Sequence, residues 1–240
     1  MLSSTEQNKI PAINTNNANN TYIEEFESFL SNEAFPCVAA RAALNKDQIK
    51  YHVSGHMACP QDNYNIIKFL HDFIDEYRKA ETQFHSAVVI FKDPVYITEE
   101  TFDKLLWMKL QMLSNIDSKI YNYDKRVSTD PASPEFSYSL KEEAFFIIGL
   151  NPASSREARK FKYPALVFNP HSQFEELRAL NRYEKMKNII RKRDVEYSGS
   201  VNPMLKDFGA ASEVYQYSGM KYNSDWKCPF KISKVPASNN

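Results

Sequence analysis

A mixed α/β fold, with α+β as its near neighbour, follows from three features of the sequence. These are three unbroken apolar runs, helical periodicity in the segments between them, and a single-domain length. The runs are SAVVIF (86–91), AFFIIGL (144–150) and ALVF (165–168). A continuous apolar run is what a strand carries when both faces of its sheet are covered. Interleaved with helices, such strands predict a small mixed sheet flanked by helices. A chain of 240 residues with 42% hydrophobic side chains builds one domain with a sizeable core.

In chain order, residues 1–21 are rich in Asn and Ser and have no apolar period, which predicts a flexible leader. The domain then runs over 22–232, and 233–240 read as a flexible tail. A short amphipathic helix is predicted over 22–30. Asp62 can cap a helix reaching about Lys79, with Ile66, Ile67, Leu70, Phe73, Ile74 and Tyr77 at helical spacing. Thr98 can cap the next, whose first turn holds Glu99 and Glu100 at the positive end of the dipole. The last helix runs from Gln173 to about Asp194, its final turns rich in Arg and Lys.

Composition narrows the function. Thirty basic side chains balance thirty acidic ones, so nothing draws the chain electrostatically to nucleic acid or to an anionic membrane. Three cysteines with no CxxC do not form a disulfide framework, and the N-terminus lacks a signal peptide, so the cytoplasm is the expected location. No run approaches the ~18 apolar residues of a membrane span. With only five glycines, the chain has no GxGxxG or GxxxxGK loop, and it has no GxSxG elbow.

An internal echo carries more information. Asn151-Pro152-Ala153-Ser154-Ser155-Arg156-Glu157 and Asn169-Pro170-His171-Ser172-Gln173-Phe174-Glu175 both read N-P-x-S-x-x-E after an apolar run. Proline stops a ladder, and Ser followed three residues later by Glu is a capping box, so both segments predict strand-to-helix corners. A crossover helix between them, over 155–161, would make the two strands parallel neighbours. The second corner has His171 where the first has Ala153. Ligands collect beyond strand ends in open sheets, and a helix N-terminus keeps an imidazole neutral, the form that binds metal. The residues alone leave two roles open for His171, a metal ligand or a hydrogen bond across the corner. Glu157 and Glu175 read as caps. His52, His56 and Cys59 have ligand spacing only if helical, and with Gly55 among them a solvated loop is the plainer reading. Cys37 reads as a small buried hydrophobe. Arg156, Arg159, Lys160, Arg178, Arg191 and Arg193 supply cations near the corners, either for a solvated face or for anion recognition by planar forks.

The run AFFIIGLNPASSREARKF (144–161), with PALVFNPHSQFEELR (164–178), IIRKRD (189–194), GSVNPML (199–205), FGAASEVYQYSG (208–219) and WKCPF (226–230), resembles the YqcI/YcgG family. Phe35-Pro36-Cys37 and VSTDPASPEFSYSL (127–140) fit the same pattern. Within the family it resembles the haem-dependent N-hydroxylases of the guanitoxin and D-cycloserine type, which act on the guanidino group of free L-arginine. The family's F-N-x-H-x-Q-F falls on Phe168, Asn169, His171, Gln173 and Phe174. Departures stand at Tyr215 and Met220, where the pattern has arginines, and at Asn151 and Lys160, where it has His and Arg.

The resemblance implies a haem b whose iron is held by His171, with Phe168 and Phe174 beside it and Arg156 and Arg159 for propionate or substrate carboxylate. Dioxygen is the implied co-substrate, with electrons from an external reductase or ferredoxin. A guanidinium, with a pKa above ~12, must lose a proton before it attacks, so the site needs an acidic residue to grip the fork. Glu213 is the first candidate and Asp207 the second. A homodimer is compatible with this reading. Two other classes stay open: a non-catalytic haem-binding or haem-sensing protein, and a haem-free small-molecule binding module.

Overall fold

The computed structural model describes residues 15–81, 84–202, 204 and 209–232. Five strands form one open sheet in the order β1-β2-β5-β4-β3. These are β1 (Ile49–His56), β2 (Ser86–Asp93), β3 (Tyr138–Leu140), β4 (Glu143–Leu150) and β5 (Ala165–Pro170). Only β1 and β2 are parallel; β2–β5, β5–β4 and β4–β3 are antiparallel. The fold is therefore a mixed α/β single domain.

The three apolar runs are the central strands β2, β5 and β4. Successive side chains point to opposite faces, and the alternation divides the interior into two layers. Ala87, Val89, Phe91, Phe145, Ile147, Leu166 and Phe168 face α3 (Asn63–Tyr77) and α4 (Glu99–Asp117) in one closed core. Val88, Ile90, Leu150 and Ala165 face α1 (Thr15–Ser31) and α2 (Val38–Leu44) on the other side. The Thr98 hydroxyl caps α4 by accepting from the Thr101 N–H at 3.2 Å.

Several expectations need correction. The helix α1 begins at Thr15, inside the stretch read as a leader, while residues 1–14 and 233–240 lie outside the described residues. The predicted crossover helix is one 3-10 turn, Glu157–Arg159. The Asn151 N–H donates to the Arg159 carbonyl at 3.0 Å, so the loop closes on itself and β5 returns antiparallel to β4. The second corner does fall where the sequence places it: Pro170, paired with Phe145, is the last residue of β5, and α5 begins at Ser172. Neither capping box forms. The Ser172 hydroxyl donates to Glu143 at 3.0 Å and lies 2.8 Å from the Tyr77 hydroxyl, Glu157 pairs with Lys160, and Glu175 pairs with Arg178.

The long helix over 173–194 is two, α5 (Ser172–Ala179) and α6 (Tyr183–Ser198). They are broken at Asn181, whose φ of 54° is left-handed and which tolerates that region better than most residues. Residues 52 and 56 are not in a loop but in β1, a polar edge strand that the apolar-run criterion passes over. His52 bonds Asp62 at 2.8 Å and stacks on Phe69. Among the described residues no three His, Cys, Asp or Glu side chains are grouped to hold a metal ion, and no helix is long and apolar enough to cross a membrane.

Candidate active site

The second face of the sheet is not filled along its whole length. Phe146, Ile148 and Val167 project from β4 and β5 into a cavity of about 280 Å³ roofed by α5 and α6. Its wall continues through Phe26, Leu30 and Phe35 of the α1 region and Phe174 of α5. On α6 the lining residues Tyr183, Met186, Lys187, Ile190, Arg191 and Asp194 recur at helical spacing, so one stripe of the helix faces the space. Only Asp194 of that sixteen-residue helix is buried. The roof is thus laid across a void instead of being packed into a core. It is tied down at its edges, by Arg156 Nη2 to Asp194 at 2.6 Å and by Arg193 to the Phe35 carbonyl at 3.1 Å.

At the inner end stands His171, the N-cap residue of α5. Its backbone N–H donates to the Ala144 carbonyl at 2.8 Å, extending the β4–β5 ladder by one bond and fixing the ring at the sheet's end. Below it, the Asp124 carboxylate accepts from the Ala144 N–H at 2.9 Å and from Arg126, whose Nη2 also reaches Glu143 at 3.1 Å. This charged knot anchors the start of β4 and, through Ser172, the start of α5.

The imidazole is 6% exposed, and burial pushes its pKa from 6.5 down to about 4. At neutral pH it carries no charge. Glu213, 42 positions later in the sequence, places Oε1 3.7 Å from His171 Nε2, and Glu175 Oε1 lies 3.9 Å from Nδ1. Glu213 is itself 5% exposed, and its other oxygen accepts from the Ser137 hydroxyl at 2.7 Å. Burial pushes its pKa up to about 8 despite that bond. The low-dielectric surroundings therefore push both groups toward their neutral forms, which favours a neutral pair over an ion pair.

Most of the candidates fall around this space, some in unexpected roles. Phe174, Arg156, Arg159, Arg178 and Glu213 all line the cavity with His171. Phe168 does not. It belongs to the opposite face and is fully buried against Tyr138 and Phe145, because the pleat that turns Val167 and Asn169 toward the cavity turns Phe168 away. Asp207 lies outside the described residues. Arg159 spends its guanidinium on the Gly149, Tyr217 and Gln216 carbonyls at 3.0–3.2 Å, and its burial lowers its pKa to about 10. It clamps β4 to the segment after Glu213. Arg156 is held by Asp194 and the Ser200 carbonyl. Of the α6 stripe the sequence singled out only Arg191; the role of Asp194 and of its apolar members was missed, although the i, i+3, i+4, i+7 pattern from Tyr183 was there to be read.

A neutral buried imidazole opening on an apolar cavity, with a carboxyl on each side of the ring, has the chemistry to act as one ligand to a metal. The same arrangement, with aromatic walls and a rim of cations, suits a small polar molecule with a planar charged head.

The uncharacterized protein YqcI of Bacillus subtilis is 27% identical over 200 residues, covering 80% of this chain and 74% of that protein. A Streptomyces lavendulae protein named "Putative N(omega)-hydroxy-L-arginine synthase DcsA" is 28% identical over 220 residues, 86% of this chain and 82% of that one. No solved structure matches significantly. The YqcI/YcgG family pattern matches residues 26–231, which takes in the sheet, the His171 corner and Glu213, and the chain belongs to the YqcI/YcgG family.

Proposed function

We propose that this chain is a haem-dependent N-hydroxylase that oxidises a guanidino nitrogen of free L-arginine or a closely related guanidine. The observation that carries the reading is the buried pair at the inner end of the cavity, the His171 imidazole with Glu213 3.7 Å away. The named relative from Streptomyces lavendulae supports the reaction class.

The residues fit the cofactor by donor chemistry. A neutral imidazole keeps one lone pair for iron and one N–H for a carboxyl partner; Glu175, 3.9 Å from Nδ1, can be that partner, which leaves Glu213 for the substrate. Phe146, Ile148, Val167 and Phe174 offer apolar surface for a planar ring, and the α6 roof, which buries only one residue of its own, has room to adjust around it. Arg178, Lys187 and Arg191 line the cavity from α5 and α6, where propionate or substrate carboxylate would meet them. When bound, haem would supply reductive activation of dioxygen with electrons from an external donor.

The chain's own residues do the rest. A guanidinium entering an apolar space needs an anion, and its positive charge would stabilise the carboxylate of Glu213, which gives up its own proton as the substrate enters and then grips the fork. A carboxyl whose pKa sits near 8 is well matched to holding and releasing a proton near neutral pH. Ser137 fixes its far oxygen, so it presents one orientation. The apolar lining excludes water and strengthens each polar contact inside.

The test is an absorption spectrum of the purified chain supplied with haem, compared with His171→Ala, followed by product analysis with L-arginine, dioxygen and a reductant. A Soret band in the wild type that collapses in the variant, and a hydroxylated guanidine, are the expected results. An unchanged band in the variant overturns the ligand. Absence of hydroxylated product with haem bound, under several reductants, overturns the reaction and leaves haem binding or sensing.

A further inference from the structure

Both tryptophans of the chain, Trp107 and Trp226, lie in one column of rings running from the surface toward the cavity wall. Trp226 is partly exposed and stacks on Tyr222 with centroids 3.8 Å apart and planes at 21°. Trp107, nearly buried, lies 5.9 Å from Trp226 and stacks on Tyr217 at 5.7 Å and 24°. The Tyr217 ring meets Phe146, a cavity residue, at 6.0 Å, and its hydroxyl lies 3.4 Å from Glu213 Oε2.

Packing alone would be served by Phe and Leu. Here the polar ends of the rings converge on a buried carboxylate, a costly group to hide without a use for it. Asp103 accepts the Trp107 indole N–H at 3.0 Å and also the Tyr222 hydroxyl, whose oxygen lies 2.7 Å from Ser218 Oγ. Oxidised indole and phenol are far stronger acids than their parents, so losing an electron requires a base at the N–H or O–H. Asp103 is that base for the two neighbouring rings in turn. Proton and electron can then leave each ring together, without a charged radical in the core.

The geometry points to a one-electron conduit, Trp226–Tyr222–Trp107–Tyr217, that carries electrons from the surface to the cavity and reduces a hydroperoxide left there when no guanidine is present to react. This rests on the oxidative reading of the cavity given above. Tyr217 gives one electron to the oxidant while Glu213 takes its phenolic proton on Oε2 and releases its own proton from Oε1 toward the cavity, and a proton from solvent later restores the phenol. Trp107 restores Tyr217 and passes its N–H proton to Asp103. Tyr222 and Trp226 restore Trp107, and the Asp103 proton returns when the outer rings are refilled by a one-electron donor such as ascorbate or a thiol. Two such passes, with two protons from solvent, convert hydrogen peroxide to two waters.

Two arms test it on the full chain. In the first, without haem, azidyl radicals from pulse radiolysis oxidise the exposed Trp226. Tryptophanyl absorbance should give way to tyrosyl absorbance by a first-order step independent of protein concentration, and Tyr222→Phe should slow that step several-fold. In the second, the haem-loaded chain is treated with hydrogen peroxide without guanidine and freeze-quenched for electron paramagnetic resonance. Trp107→Phe should confine the radical to Tyr217 and raise oxidation of the cavity residue Met186 several-fold by mass spectrometry. Circular dichroism checks that each variant is folded. An unchanged conversion rate in Tyr222→Phe, or an unchanged radical signal in Trp107→Phe at equal haem occupancy, overturns the conduit. A chain that takes up no haem overturns the cofactor reading instead, and the radiolysis arm still decides this one.

Discussion

The two faces of one sheet are built by different rules. On the α3/α4 face the buried residues of β2, β4 and β5 share one core with both helices, which bury six and nine residues respectively. Gly149 shows how closely this face is packed: a Cβ there would lie 2.7 Å from Leu106 and 2.9 Å from the Tyr217 carbonyl oxygen. On the opposite face α6 buries Asp194 alone, and Phe146 and Ile148, one pleat away from Phe145 and Ile147, line open space. The first face is closely packed, and the second holds the candidate site. The His171 ring stands where they meet, its backbone bonded to the ladder and its side chain on the open side.

That contrast can be broken from its functional end first. His171→Ala should cost more than the about 10–100-fold in affinity that is typical of losing a residue which merely supports a ligand. Titration of haem followed by the Soret band measures it, and His171→Ala should leave thermal unfolding of the haem-free chain nearly unchanged. A large drop in unfolding temperature with no change in haem affinity would turn the ring into a structural corner.

The next effect lies on the filled face. Phe145→Ala, in the closed core, should cost about 3–5 kcal/mol in urea unfolding. Ile148→Ala, two strand positions beyond Phe146 on the cavity side, should cost well under half of that, because the space is already there. Equal costs would mean that the two faces are packed alike. On the same logic Gly149→Ala overpacks the filled face and should destabilise by about 1–3 kcal/mol.

The pH dependence sharpens the comparison, because the open face hides two titrating groups. Glu213 has its folded pKa raised from 4.5 to about 8, so between these values the native state holds a proton that the unfolded chain has lost. Its contribution to stability is complete below about pH 4.5, falls as pH rises, and is lost above about 8. His171 acts in the other direction. Its folded pKa is lowered from 6.5 to about 4, so stability is lost as pH falls through that range. Glu213→Gln should flatten the alkaline limb of a stability–pH curve by an amount on the order of a few kcal/mol. His171→Gln should flatten the acid limb. A Glu213→Gln curve that is parallel to wild type from pH 4.5 to 8 would show that this carboxyl ionises freely.

The smallest effect concerns the hinge of the roof. Asn181 separates α5 from α6 in the left-handed region, where Ala is disfavoured by about 1–2 kcal/mol. Asn181→Ala should lower stability by about 1 kcal/mol, and Asn181→Gly should be near neutral. If Ala proves stabilising, the two helices have merged into one.

Much of the filled face was legible in the sequence. The strands β2, β4 and β5 announce themselves as apolar runs, and the helices α3 and α4 as amphipathic periods; Thr98 caps α4 with its hydroxyl, whereas Asp62 stands at the start of α3 with its carboxylate on His52 and Asn65 instead of on a helix N–H. The polar edge strand β1 was not, since IKYHVSGH pairs on one side only and buries just Ile49 and Ser54. The His171 corner was visible as a motif, but its capping chemistry was misread, because Ser172 finds a better partner in Glu143 than in its own helix.

By itself the sequence determined which segments must be buried and which residue types stand at the strand ends, because burial and propensity act over a few neighbouring positions. It also carried the family pattern that singled out His171 and Glu213. Only the tertiary structure decided that β5 runs back against β4, that Phe168 turns away from the cavity while Phe174 turns into it, and that Glu213 comes to rest beside an imidazole 42 positions earlier. Register and pleat set those outcomes. A one-residue shift exchanges the two faces of a strand, and no local signal in the sequence fixes which face is to be left open.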